Sequence, residues 1–143
     1  MYEIDDPFRC ADRLLESVAA NQCVVVDMHA EATSEKTAMG WYLDGRVSAV
    51  VGTHTHVPTA DPRLLPKGTA YITDLGMCGP RDGIIGVEAE PVIRKFLTGM
   101  PARFTVAESS KVVQFNAVVV DIDGSTGQAR SIERVDREWT ADG

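Results

Sequence analysis

The spacing of apolar residues along the first half of the chain predicts alternating helices and strands. Between residues 8 and 18, apolar positions recur every three or four residues, which indicates an amphipathic helix with Asp6 as its N-cap. The continuous apolar run in residues 23–27 indicates a strand that is covered on both faces, and residues 47–52 indicate the next buried strand. Residues 33–45, between these runs, have the composition of a second helix that ends at a glycine. This order of elements is typical of an α/β sheet.

The second half of the chain changes to longer strands. Residues 69–76 predict another strand, and residues 102–108 predict a further short one. Between them, a helix over residues 91–99 is expected to point four apolar side chains inward: Val92, Ile93, Phe96 and Leu97. Residues 111–123 and 128–139 alternate apolar and polar positions around a Gly-Ser-Thr-Gly turn, which predicts a β-hairpin. The predicted fold class is therefore α/β, ending in an antiparallel β-hairpin.

Composition and charge limit the class of protein but do not indicate a reaction. With 143 residues, 44% of them hydrophobic and 24% charged, the chain is expected to form one globular domain with a hydrophobic core. The 14 basic and 21 acidic residues give a net charge of −7 and form no basic run, which argues against binding to DNA. No apolar run is long enough to predict a membrane span. Three cysteines without a paired spacing, and no signal sequence at the start, favour a cytoplasmic setting.

The histidines are few and unusually placed. The chain has three, and the stretch "VVGTHTHVPTAD" carries His54 and His56 one residue apart at the end of a predicted strand. In an extended chain, residues two apart project to the same face, so both rings are expected to reach one site. His29 also follows an apolar run, and the carboxyl ends of strands in an α/β sheet are where ligands bind. Imidazole is a good ligand for Zn, Fe and Mn, so the pattern predicts a metal site formed by these three residues.

Two carboxylates could support such a site. A metal-bound histidine usually donates its other N–H to a carboxylate or a carbonyl, and Asp27 and Asp61 are candidates for that role. Alternatively, Asp27 is itself a metal ligand, or the histidines are ordinary hydrogen-bonded loop residues. Three histidines with one open coordination position would also suffice for a self-contained mononuclear zinc hydrolase.

Four segments together resemble one bacterial family. "DDPFRCAD", "DMHAEATSEK", "GTHTHVPTAD" and "YITDLGMCGPRDGIIG" look like the YmdB-like metallophosphoesterases, relatives of the calcineurin-like fold, in the correct order over nearly the whole chain. The resemblance implies a β-sandwich flanked by helices, two divalent metal ions (usually iron or manganese) and phosphodiesterase activity on 2′,3′-cyclic nucleotides. Carried over by residue, His29 and His54 would bind one metal ion and His56 the other.

The sequence also departs from the family pattern. The family supplies an aspartate, a bridging glutamate and an Asn-His pair from motifs that precede these segments, and this sequence has no Asn-His dipeptide. The histidine expected as proton donor is therefore missing, and we assign no catalytic residue. We expect residues 1–143 to be a single domain that corresponds to the C-terminal part of a metallophosphoesterase domain. Such a chain is expected to be weakly active or inactive alone, and formation of a homo-oligomer or complementation by an N-terminal part is the expected route to a complete site. A metal-binding or assembly module without catalysis is the further alternative.

Overall fold

The computed structural model describes residues 5–19 and 22–140. Its helices are α1 (Pro7–Leu15), α2 (Thr33–Leu43) and α3 (Ala89–Thr98). Its strands are β1 (Val25–His29), β2 (Ala49–Thr53), β3 (Arg63–Leu64), β4 (Ala70–Ile72), β5 (Cys78–Pro80), β6 (Val112–Ile122) and β7 (Ala129–Thr140). Within the described residues these strands form two sheets, and the predicted class, α/β ending in an antiparallel hairpin, is confirmed.

Helix α1 begins as its sequence predicts. The carboxylate of Asp6 accepts hydrogen bonds from the backbone N–H groups of Phe8 (2.8 Å) and Arg9 (3.4 Å), and Pro7 occupies the first turn, where its missing N–H costs nothing. The helix ends at Leu15, so Val18 lies beyond it. The apolar face of α1 packs against the core of the first sheet, so the predicted amphipathic helix is confirmed with an earlier end.

The first sheet has the strand order β1-β2-β4-β3, in which β1, β2 and β4 are parallel and β3 is antiparallel. Its central strand β2 is buried, as predicted. Strand β1 lies at the edge of the sheet and leaves Val25 59% exposed, so the expectation that both faces of this strand are covered was wrong. The parallel arrangement places the carboxyl ends of β1 and β2 at the same edge.

The core lies between this sheet and α2. Six buried side chains form it: Met39, Leu43, Val47, Val50, Leu65 and Tyr71. Burying an apolar side chain of this size stabilises the fold by about 1.5–3 kcal/mol. Gly40 allows the close approach, because a Cβ at that position would lie 2.5 Å from the Tyr71 ring.

The second sheet has the order β5-β6-β7 and contains the predicted hairpin. The turn between β6 and β7 is closed by Gly127 N–H, which donates to the Asp123 carbonyl at 2.7 Å. Val120 and Ile132 of the hairpin pack against Ala49 and Ala70 of the first sheet, so the two sheets face each other as a sandwich. Strand β5 lies in the glycine-rich segment, where no strand was predicted.

Helix α3 differs most from expectation. It begins at Ala89 rather than at Pro91, and of its apolar residues only Val92 is buried. Ile93, Phe96 and Leu97 are 49%, 83% and 81% exposed, so the inward orientation predicted for them was wrong. An amphipathic pattern gives the spacing of a helix but not what covers its apolar face. Residues 102–108 form no strand, and Val106 contributes an isolated bridge to Val87.

No helix among the described residues combines the length and the apolar character needed to cross a membrane.

Candidate metal centre

The candidate site lies at the carboxyl edge of the parallel sheet. His29 is the last residue of β1 and stands in register with Thr53, the last residue of β2. His54 follows Thr53 directly, so the sheet register itself brings the rings of His29 and His54 together. Their centroids are 4.9 Å apart and the rings meet edge to face.

A short relay orients the His29 ring. The Thr53 hydroxyl donates to Asp27 Oδ1 at 2.7 Å, and the Thr53 hydroxyl oxygen lies 2.9 Å from His29 Nδ1. Because the hydroxyl proton is directed to Asp27, the hydroxyl oxygen accepts from His29 Nδ1–H. This leaves the lone pair of His29 on Nε2, which is the nitrogen that faces His54. Asp27 therefore contacts His29 through the Thr53 hydroxyl and not directly. A carboxylate that orients a histidine ligand from outside the coordination shell of a metal ion acts in this way.

His54 is surrounded by electron-pair donors. Its Nδ1 lies 3.1 Å from His29 Nε2, and its Nε2 lies 2.9 Å from Glu31 Oε2. His29 and Glu31 thus contact different ring nitrogens of His54, and imidazole nitrogen is a ligand that divalent transition metals accept. The His54 side chain is 44% exposed and that of Glu31 is 83% exposed, so the group is open to solvent.

His56 reaches the same cavity by a different backbone route from the one predicted. Strand β2 ends at Thr53, and His54 and His56 have φ angles of 103° and 65°, so the extended conformation expected for this pair was wrong. The Ile85 carbonyl lies 2.9 Å from His56 Nδ1 and accepts its proton, which directs the Nε2 lone pair away from that contact. Ile85 has a φ of 47°.

This backbone strain marks the site. Apart from glycines, the described residues with positive φ are His54, His56 and Ile85. Such conformations cost about 1–3 kcal/mol each and persist where the surrounding structure enforces them, often at functional sites. All three residues line one open cavity of about 530 Å³, together with His29, Thr53, Met77 and Cys78.

The donor set fits part of a metal site. Two imidazoles converge and a third lines the same cavity, which suits one ion and the approach of a second. Within residues 5–19 and 22–140, however, no three His, Cys, Asp or Glu side chains come together in an arrangement that would hold a metal ion. The assignment of His29, His54 and His56 as ligands stays a prediction.

Asp61 lies in a separate hydrogen-bond network. Its carboxylate accepts from the hydroxyl of Thr59 (2.6 Å) and from both the hydroxyl (2.5 Å) and the N–H (3.2 Å) of Thr73. Burial raises the pKa of Asp61, but these hydrogen bonds outweigh it and hold the pKa below its usual value. Its hydrogen bonds are with threonines rather than with a histidine, so Asp61 supports the loop that follows the histidines.

Three contributors were not anticipated: Thr53, Glu31 and the Ile85 carbonyl. The register of β1 and β2 identifies Thr53, and Glu31 stands two residues after His29, but neither has a distinctive motif. The Ile85 carbonyl comes from a distant loop, and no spacing in the sequence could have indicated it.

Comparison with known proteins decides the family. The YmdB-like protein family matches residues 1–135, which is nearly the entire chain. The chain belongs to this family. The resemblance drawn from the four sequence segments is thereby confirmed.

The chain is 58% identical to the 2′,3′-cyclic-nucleotide 2′-phosphodiesterase of Bacillus subtilis over 133 residues, which cover 92% of this chain and 50% of that protein. A hypothetical protein from Thermus thermophilus matches the fold with a TM-score of 0.88 at 50% identity, covering 96% of this chain and 53% of its own. A novel phosphatase from Mycoplasma pneumoniae matches the fold with a TM-score of 0.88 at 39% identity, and the match covers 96% of this chain and 48% of that chain. The chain thus spans about half the length of the curated relatives it matches.

Proposed function

We propose that this chain is the histidine-bearing part of a metal-dependent phosphodiesterase that acts on a cyclic nucleotide or a related small phosphodiester. The observation that carries the proposal is the meeting of His29 and His54 at a strained strand end. It occurs in a chain that is 58% identical to a protein named as a 2′,3′-cyclic-nucleotide 2′-phosphodiesterase.

Two divalent ions, iron or manganese, are the proposed cofactors. His29 and His54 would hold one ion, and His56 would hold the other. Two such ions, when bound, polarise a phosphodiester and activate water for its hydrolysis. The other residues of this chain would orient the histidine ligands. Asp27 and Thr53 fix the His29 ring, and the Ile85 carbonyl fixes the His56 ring.

The remaining ligands and the proton donor are proposed to come from residues outside this chain. All three histidines of the sequence are used as ligands, so none is left to protonate the leaving oxygen. We propose that residues 1–143 form one domain that corresponds to the C-terminal part of a metallophosphoesterase domain. It would be completed in cis, by a separate N-terminal part or within a homo-oligomer. The half-length coverage of its relatives supports this proposal.

Turnover measured with and without the missing half tests the function. The chain would be assayed with Mn²⁺ or Fe²⁺ on a 2′,3′-cyclic nucleotide and on an aryl phosphodiester. The same assay would follow addition of the N-terminal half of a relative. We expect little hydrolysis by the chain alone, since loss of a general acid by itself typically removes about 10²–10⁴-fold in rate. Turnover should appear in the completed protein, and His54→Ala should abolish it.

Metal counting in the same preparations separates the alternatives. Two ions per completed site support the proposal. Robust hydrolysis by the chain alone with one ion per chain would replace it with a mononuclear three-histidine hydrolase. Metal binding without turnover in the completed protein would leave a binding or assembly module.

A further inference from the structure

A buried ion pair lies directly beneath the histidine loop. The Lys36 ammonium of α2 donates to Asp74 Oδ2 at 2.7 Å, and each side chain is only 1% exposed. Removing two charges from water is costly, and an apolar pair of similar size is often at least as stable. A buried pair at this position therefore calls for a reason other than stability.

The hydrogen bonds of Asp74 supply that reason, because they lead to the histidine loop. Its Oδ2 also accepts from the N–H of Thr55 at 3.1 Å, and Thr55 is the residue between His54 and His56. Its Oδ1 accepts from the N–H of Gly76 at 2.9 Å, and Gly76 lines the histidine cavity. One carboxylate therefore ties together two walls of the candidate site.

The backbone of Asp74 fixes the far side of the same loop. Its N–H donates to the Thr59 hydroxyl at 2.9 Å, and its carbonyl accepts from the N–H of Thr59 at 3.0 Å. Thr55 and Thr59 thus anchor both sides of His56 to a single buried residue. His54 and His56 hold positive φ angles between and beside these anchors.

Lys36 can reach Asp74 because β2 has a glycine at the crossing point. A Cβ on Gly52 would lie 2.7 Å from Lys36 Cδ and 1.7 Å from the Thr73 carbonyl oxygen. The Gly52 carbonyl accepts from the N–H of Leu75 at 2.8 Å, next to Asp74. Strand β2, the lysine and the loop after β4 are therefore packed together at Gly52, two residues before His54.

We propose that the buried Lys36–Asp74 pair is a positioning element, which holds the His54–Thr55–His56 backbone in its left-handed turns and so brings the His54 ring against His29. Lys36 orients the carboxylate, and the carboxylate holds the Thr55 N–H. The consequence for catalysis rests on the proposed phosphodiesterase function, whereas the loop geometry can be tested without substrate or metal.

The test is the contact between the His29 and His54 rings, measured in the full chain by nuclear Overhauser effects between their ring protons. Asp74→Asn should abolish this contact and split or broaden the His54 and His56 signals, while the methyl signals of the core persist. Asp44→Asn is the matched control, because Asp44 is another buried aspartate that accepts backbone N–H bonds, from Lys67 and Thr69, but at the opposite end of β4. The control should leave the ring contact unchanged.

A second variant protects the test against misfolding. Lys36→Met/Asp74→Leu removes both charges together and so leaves no unpaired buried charge. It should fold and also lose the ring contact. An intact ring contact in either folded variant would overturn the proposal, and so would failure of both variants to fold, since the pair would then determine the fold rather than position the loop. Absence of phosphodiesterase turnover would overturn the proposed function but leave this result standing.

Discussion

The two ends of the parallel sheet use buried polar groups for different purposes. At the amino end, Asp44 accepts from the N–H groups of Lys67 and Thr69, and the Thr69 hydroxyl donates to the Val47 carbonyl at 2.7 Å. The Ser48 hydroxyl donates to the Gly127 carbonyl at 2.6 Å and joins the two sheets. Each of these polar side chains is hydrogen-bonded to backbone groups, and the chain at this end forms turns.

At the carboxyl end, a similar buried aspartate holds the backbone of the loop that carries His54 and His56. Asp74 accepts a hydrogen bond from the N–H of Thr55, and His54 and His56 on either side have positive φ angles and line an open cavity. The same kind of buried carboxylate therefore holds turns at one end of the sheet and the candidate metal site at the other. We predict that substitutions at the amino end change stability alone, and that substitutions at the carboxyl end separate stability from metal binding.

The largest effect is expected at Gly52, where the carboxyl end is most crowded. Gly52→Ala should destabilise the chain by about 3 kcal/mol or more, because overpacking against a backbone carbonyl cannot be relieved by a side-chain rotation. The clash is with the Thr73 oxygen, 1.7 Å from the added Cβ. Urea unfolding would measure the change. Gly124→Ala is the control, since nothing lies within 4 Å of that position and its stability should barely change. Equal stability of the two variants would contradict the packing described for β2.

The next effect tests the amino end. Asp44→Ala leaves the N–H groups of Lys67 and Thr69 without their acceptor in a buried turn, which should cost about 2 kcal/mol. At the carboxyl end, Glu31→Ala should change stability by less than about 0.5 kcal/mol, since surface substitutions usually do. Urea unfolding of both variants decides the point. The distinction between the two ends fails if Glu31→Ala proves as costly as Asp44→Ala.

A smaller change in stability, which differs between two histidine positions, would show that the backbone is strained at the carboxyl end. His54→Gly should keep or raise stability by up to about 1 kcal/mol, because glycine adopts the φ of 103° without strain. His29→Gly should lower stability by about 1 kcal/mol, because glycine weakens the end of a strand. Thermal unfolding measures both changes. A loss of stability of equal size in the two variants would show that the His54 backbone is not strained.

The smallest expected effect concerns acid. The pKa of Asp61 in the folded chain lies below the ordinary 3.8, despite its burial, because of hydrogen bonds from Thr59 and Thr73. Its contribution to stability is therefore present above pH 3.8 and is lost as the pH falls through the folded-state pKa. Asp61→Asn should flatten the dependence of unfolding free energy on pH below about pH 4. An unchanged acid limb in denaturant titrations would remove Asp61 from the groups that set acid stability.

The contrast between α1 and α3 shows how far sequence reasoning reaches. Asp6 and Pro7 predict where α1 begins, because the signals are local and the same residues make the contacts. The pattern of α3 is equally periodic, yet Phe96 and Leu97 are exposed, since a periodic face does not specify a neighbour. Strand β3 and strand β5 were missed because two or three residues carry no detectable period.

The candidate site was likewise predictable only where its signals are local in the sequence. The placement of His29 and His54 at strand ends followed from the apolar runs that precede them, and the meeting of their rings agrees with it. The left-handed turns at His54 and His56 could not be foreseen, because they depend on Asp74 and Ile85, which come from loops distant in sequence. The role of Lys36 was hidden for a further reason, since a lysine in a helix normally reaches solvent.

The most direct test of the central claim is a titration of the chain with Mn²⁺ followed by NMR, because a paramagnetic ion broadens the signals nearest to it even when it binds weakly. We predict that the first signals to broaden belong to residues 28–31, 53–57 and 76–87, and that those of residues 44–48 and 67–69 at the amino end stay sharp. Broadening that begins at the amino end, or that spreads evenly over the acidic surface, would contradict the assignment of His29, His54 and His56 as a metal site.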